Sequence, residues 1–66
     1  MSYLVFYKTT DVFVAEEVLN GEGIETDVVP TPVTDKAYCG VCIKIKKTEL
    51  LAAKQLLEAM EYVIVD

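Results

Sequence analysis

The order of its apolar segments is the feature that most limits the folds open to this chain. By the spacing of their apolar residues, six short segments follow one another as strand, helix, strand, strand, helix and strand. The predicted strands span residues 2–7, 24–29, 41–46 and 62–65. This order is typical of a ferredoxin-like βαββαβ fold of the α+β class. There, four antiparallel strands form a sheet with strands one and three in the centre, and both helices cover one face.

Local signals mark where the two helices begin and end. Thr9, Thr10 and Asp11 supply a hydroxyl cap and an acid for the first helix, and Thr48 does so for the second. Residues 20–23 contain two glycines and an asparagine, which are suited to ending the first helix. The predicted buried positions are Val14, Ala15, Val18 and Leu19 in the first helix, and Leu50, Ala53, Leu56, Leu57 and Met60 in the second.

The size and composition of the chain predict one small domain with an apolar surface. Its 66 residues make a single domain, and a chain of this size buries only roughly 60% of the surface that its unfolded form exposes. Yet 53% of the residues are hydrophobic. We therefore expect a full core together with an apolar surface that a second copy covers, giving a homodimer. A deep, walled active site is excluded.

The charge pattern argues against nucleic acid as a partner. The net charge is −5, whereas binding a phosphate backbone needs a basic surface. The lysines are unevenly distributed, however. Four of the six lie in a stretch without acids, namely Lys36, Lys44, Lys46 and Lys47. They either keep a strand soluble or supply a positive field around the two nearby cysteines.

The absence of histidine removes several kinds of catalytic site. Ser-His-Asp triads, Cys-His pairs and His-rich zinc sites are all excluded within this chain. No apolar run approaches the length of a membrane span, and the first run is too short for a signal peptide. We therefore expect a cytoplasmic protein. In that compartment two cysteines are more often reactive or metal-binding than a structural disulfide.

The cysteines lie in the segment Cys39-Gly40-Val41-Cys42, at the start of the third predicted strand. In the predicted topology, Cys39 lies beside the start of the first helix, where the helix dipole and nearby lysines favour a thiolate. Gly40 would allow close approach or a sharp turn. Strand parity places Cys42 on the open sheet face. The predicted site consists of Cys39 as nucleophile, Cys42 as a resolving thiol or spectator, and Gly40, Lys36, Lys8, Thr9 and Thr10.

Several uses of this thiol pair stay open from the residues alone. A reversible disulfide requires the segment to turn, because Cα atoms three apart in a straight strand are about 10 Å apart. A zinc site would require a second subunit to complete four ligands. Alternatively, Cys39 alone carries sulfur or selenium as a persulfide-like adduct. The cysteines could also be small hydrophobes in a non-enzymatic binding module. That module would self-associate through Tyr3, Val5 and Tyr7 beside Cys42.

The order of several short motifs resembles a known family. These motifs are the segment 3–6, the turn at residues 9–11 leading into a helix with Ala15-Glu16, Gly23-Ile24, the stop at residues 30–32, and Cys39-Gly40 opening a strand. The chain is similar to the small bacterial and archaeal family described as putative selenium/sulfur carrier protein-like. The resemblance covers nearly the whole chain and implies a carrier or redox accessory protein rather than an enzyme, with Cys39 and Gly40 as its site. It implies no cofactor beyond the adduct, and a protein partner in sulfur, selenium or redox metabolism.

Overall fold

The computed structural model describes residues 1–32 and 37–65 and confirms the predicted α+β fold. The element order is strand, helix, strand, strand, helix and strand. The strands are β1 (Ser2–Phe6), β2 (Asp27–Pro30), β3 (Val41–Ile45) and β4 (Tyr62–Val65). The helices are α1 (Thr9–Gly21) and α2 (Leu50–Leu56), and a short 3₁₀ turn at Lys47–Glu49 leads into α2.

The four strands form one antiparallel sheet in the order β2-β3-β1-β4. As predicted, β1 and β3 lie in the centre and β2 lies at an edge. Leu4 of β1 is opposite Ile43 of β3, and Val5 is opposite Cys42. Because side chains alternate across a strand, these two pairs lie on opposite faces of the sheet.

The main core lies between the sheet and the two helices. Its members are all nearly closed to solvent, and they are Leu4, Phe6, Val12, Ala15, Leu19, Ile24, Ile43, Ile45, Ala53 and Leu57. Side chains from α1, α2, β1 and β3 meet in this one cluster. Both helices therefore cover the same face of the sheet, the face that carries Leu4 and Ile43.

A glycine-dependent motif ends α1 and directs the chain into the core. Gly23 has a φ of 80°, a conformation that favours glycine. Its N–H donates to the Asn20 carbonyl at 3.0 Å, and the Ile24 N–H donates to the Leu19 carbonyl at 3.0 Å. This pattern is a Schellman motif, in which an apolar residue after the glycine packs back onto the last turn. Ile24 is buried accordingly.

The motif also explains why the second strand begins later than predicted. The sequence favoured a strand from residue 24, but β2 starts at Asp27. The N–H of Ile24 bonds to the last turn of α1 and its side chain packs in the core, so Ile24 cannot also pair along the sheet edge. At its other end β2 includes Pro30, which pairs with Val41 and was predicted to stop the pairing.

The predicted buried face of α1 is wrong at two positions. Val14 and Val18 are exposed, whereas Val12, Ala15 and Leu19 face the core. Leu56 is likewise exposed in α2. Both sets of α1 residues have helical spacing, and contact with the sheet selects the set that contains Val12.

The predicted side-chain caps of the helices are also wrong. Lys8 occupies the position before the first turn of α1, without a capping bond from its side chain. Thr9 and Thr10 are already inside the helix. Thr48 lies within the 3₁₀ turn that precedes α2. Neither predicted hydroxyl cap forms, because lysines, Lys8 and Lys46, occupy the cap positions and the threonines lie inside the helical turns.

Among the described residues, no helix has the length and apolar character needed to cross a membrane.

Candidate functional site

The main chain fixes Cys39 beside the end of β1. The Cys39 N–H donates to the Phe6 carbonyl at 3.0 Å. The ring of Tyr38 lies 5.3 Å from that of Tyr7, measured between centroids. Since Lys8 and the first turn of α1 follow Tyr7 directly, the segment that carries Cys39 lies at the junction between β1 and α1.

Thr31 connects the two sides of the loop between β2 and β3. Its N–H donates to the Gly40 carbonyl at 3.0 Å, and its hydroxyl donates to the Cys39 carbonyl at 2.8 Å. These two bonds hold the backbone that follows the Cys39 Cα, while the bond to Phe6 holds the backbone before it. The sequence analysis did not identify Thr31, and its position between two prolines was the only available signal.

The Cys39 thiol is half-buried and free. It donates a hydrogen bond to the Val41 carbonyl at 2.9 Å. Its apolar side packs against the main core. The thiol thus has a fixed position at the surface of the core, where an incoming reagent can approach from the solvent side.

Cys42 is also free but lies in a different environment, within β3 and between its partners Val5 and Val29. Its side chain is 0% exposed, as is that of Val5. The prediction of an open face at Cys42 is therefore wrong, because the centre of the face opposite the helices is closed to solvent. Tyr3 is half-buried on this face, and Tyr7, just beyond β1, is exposed.

Burial raises the pKa of the Cys42 thiol above its ordinary value. A hydrogen bond from Thr31 lowers the pKa in part, and the nearby Cys39 raises it further. Cys42 is therefore a neutral thiol at physiological pH.

Gly40 is exposed and has no conformational need to be glycine. Its φ is not positive, and a Cβ added there would meet nothing within 4 Å. The chain does bend at Gly40, but the bend does not require glycine, and the expected close approach within this chain is wrong. Access for a molecule from outside remains as its predicted role.

Some of the groups predicted to surround Cys39 with positive potential lie near it in the structure. Lys8, Thr9 and Thr10 are exposed at the start of α1, two to four residues after the Phe6 carbonyl that binds Cys39. Their stabilisation of a Cys39 thiolate stays a prediction. Lys36 lies outside the described residues.

A cavity of about 270 Å³ opens at the same end of the molecule. Its walls come from the start of α1 and from the connection between α2 and β4. The lining residues are Tyr7, Lys8, Asp11, Ala59, Met60 and Glu61. Tyr7 lines the cavity and also contacts the ring of Tyr38, the residue before Cys39. The cavity therefore continues the surface on which the thiol lies. Sequence reasoning missed it, because residues 59–61 reach this end only through the fold.

In residues 1–32 and 37–65, no group of three or more Cys, Asp or Glu side chains is arranged to hold a metal ion.

Comparison with protein families gives one match that spans the chain. The model of the family described as "putative Se/S carrier protein-like" matches residues 1–65. The chain belongs to this family. Its match covers β1 through β4, including both cysteines and the loop before Cys39.

Searches of the curated proteins and of the solved structures found no protein similar to this chain.

Proposed function

We propose that this protein is a carrier that binds sulfur or selenium covalently on Cys39, as an accessory to sulfur, selenium or redox metabolism. The observation that carries the proposal is the contrast between the two thiols. Cys39 is accessible from solvent and positioned by its own main chain, whereas Cys42 is buried. Membership of the family points to the same chemistry.

The loading step is an exchange between a persulfide donor and Cys39. The Cys39 thiolate attacks the outer sulfur of a donor persulfide, R–S–SH, and forms a new S–S bond. The S–S bond of the donor breaks, and the donor leaves as the thiol R–SH after taking up a proton. The number of sulfur atoms and electrons is unchanged, so no separate oxidant is required. A perselenide donor would transfer selenium in the same way.

Unloading follows the same exchange in reverse, with an acceptor thiolate attacking the outer atom of the adduct. The thiol of Cys39 is then released and can be loaded again. Lys8 and the first turn of α1, with Thr9 and Thr10, supply positive potential for the anionic sulfur or selenium. Lys36 would add to this potential. Gly40 leaves room for the donor or acceptor, since no side chain projects from that position.

Cys42 is a spectator in this proposal. If it attacked the adduct, a Cys39–Cys42 disulfide would form and hydrosulfide would be lost. The reactive species of cysteine is the thiolate, and burial raises the pKa of Cys42, so it stays protonated at neutral pH. The adduct therefore survives beside a second thiol long enough to be handed over.

The test is loading of the reduced protein with a small persulfide, glutathione persulfide, followed by intact-mass measurement. We expect one sulfur, about 32 Da, on the wild type and on Cys42→Ala, and none on Cys39→Ala. Tryptic mapping should place the adduct on Cys39. An adduct of equal amount on Cys39→Ala would refute the proposal.

A redox role is the second candidate, because Cys39 and Cys42 are both free thiols only three residues apart and Cys39 affects the pKa of Cys42. In that case the same experiment would give a loss of about 2 Da in place of the gain. Cys42→Ala would abolish this loss. Full conversion of the wild type to the disulfide at neutral pH would favour the redox role over the carrier role.

A further inference from the structure

The outer face of α1 carries apolar side chains that this chain does not cover. Phe13 and Val14 are 53% and 51% exposed, and Val18 is 37% exposed. Residues four apart lie on the same side of a helix, so Val18 lies one turn beyond Val14. Phe13 precedes Val14 in the chain and lies about 100° from it around the helix axis. The three side chains therefore form one surface, which we call the α1 outer surface. It lies opposite the buried side formed by Val12, Ala15 and Leu19.

The charges around this surface are of one sign. Glu17 lies between Phe13 and Val18 on the same side of the helix and is exposed. Asp11, Glu16 and Glu22 lie within or directly after α1. The helix itself contains no Lys or Arg. An apolar centre with an acidic rim is thus built from one continuous segment.

The acidic residues around the α1 outer surface determine which kind of partner can bind there. A second copy that docked through the same surface would oppose Glu17 to Glu17 and one acidic helix to another, and like charges across an interface are destabilising. A partner with an apolar groove and a rim of Lys or Arg would gain from both the apolar contact and the charge. Charge complementarity of this kind also speeds association.

We propose that the α1 outer surface is a docking site for a different protein, one that presents an apolar groove rimmed by basic residues. The helix would lie in that groove with Phe13 as the central anchor, since exposed aromatic side chains often dominate such contacts. Three apolar side chains and their rim form a small interface, typical of transient complexes. The inference stands on α1 alone and does not require Cys39 to be a carrier.

The test uses a synthetic amphipathic peptide of Leu and Lys, about 14 residues or four helical turns long, as a basic apolar probe. It is titrated into ¹⁵N-labelled protein and followed by NMR chemical shifts. We expect the largest shifts at the amides of Phe13, Val14, Glu17 and Val18. A matched peptide of Leu and Glu should bind at least roughly tenfold more weakly, because it repeats the charge of the rim.

Two variants separate docking at this surface from general attraction to an acidic protein. The double substitution Phe13→Ser and Val14→Ser should weaken the peptide roughly tenfold or more, as expected for loss of an aromatic anchor. Leu51→Ser is the matched control, since Leu51 is 69% exposed on α2, and it should leave the affinity unchanged. Thermal melting confirms that each variant is folded.

Three results would overturn the proposal. One is shifts that map to another part of the molecule. The second is equal affinity of the protein for the two peptides, or equal affinity of the wild type and the double variant for the peptide of Leu and Lys. The third is a dimer in sedimentation velocity that the Phe13 and Val14 substitutions dissociate, since this would assign the surface to a second copy.

Discussion

Two cysteines three residues apart lie in environments that differ in almost every respect. Cys39 lies in a loop, is half-buried, and is held by a main-chain bond to Phe6. Cys42 lies in a central strand, is closed to solvent, and has a raised pKa. The comparison teaches that spacing alone does not define a dithiol motif. The point at which the strand begins decides which thiol is chemically available.

The largest expected difference is in the rate of alkylation. In the native protein at pH 8, iodoacetamide should label Cys39 about 100-fold or more faster than Cys42, because Cys42 reacts only after a local opening that costs about 3 kcal/mol. Peptide mapping by mass spectrometry measures both rates in one sample. In urea the two rates should become similar. Equal alkylation rates in the native state would show that Cys39 and Cys42 do not differ in accessibility.

The second expected difference is in stability. Cys42→Ala should lower the free energy of unfolding by about 1–2 kcal/mol, because it leaves a small cavity in a packed site. Cys39→Ala should cost about 0.5 kcal/mol, since the side chain is half-exposed and a thiol is a weak donor. Urea denaturation of the two variants compares identical substitutions. A larger loss at Cys39 would contradict the environments described above.

Thr31 tests whether the loop that presents Cys39 depends on its side-chain bond. Thr31→Val removes the hydroxyl that donates to the Cys39 carbonyl and should cost about 1 kcal/mol. Thr26→Val is a matched control, because its hydroxyl bond to Asn20 is exposed and should matter less. The measurement is again urea denaturation. A hydrogen bond from the Thr31 side chain to Cys42 also lowers the Cys42 pKa, so the variant should raise that pKa further.

The smallest expected effect is on the pH dependence of stability. Burial raises the folded-state pKa values of Cys42 and Tyr62, so the unfolded chain releases these protons first. Their contribution to stability is fully present below the unfolded values of about 8.5 and 10. It is lost as the pH rises through the folded values. Urea midpoints should therefore fall as the pH rises above about 8.5, and Cys42→Ala should remove the earlier part of this fall.

Much of the fold followed from the sequence because its signals were local. The alternation of strand and helix patterns predicted the strand order, with β1 and β3 in the centre. Gly23 marked the end of α1 correctly. The predicted topology placed Cys39 near the end of β1 and the start of α1. The hydrogen bond from the Cys39 N–H to the Phe6 carbonyl agrees with it.

The parts that could not be predicted depend on packing. Helix α1 has apolar residues on two sides, so spacing could not decide whether Val12 or Val14 faces the sheet. Parity paired Val5 with Cys42 correctly, but whether that face is closed depends on how distant segments fold over it. The role of Thr31 could not be predicted, because its partners Cys39 and Gly40 are eight and nine residues away along the chain.

The bond from the Cys39 N–H to the Phe6 carbonyl has a consequence for protein engineering. The anchor is the peptide group, so every residue at position 39 except proline, which has no N–H, can make this bond. Different side chains can thus be placed at position 39 while the main-chain hydrogen bond is kept. Selenocysteine, a fluorinated residue or a spin label placed there would keep this main-chain bond and would report on the junction between β1 and α1.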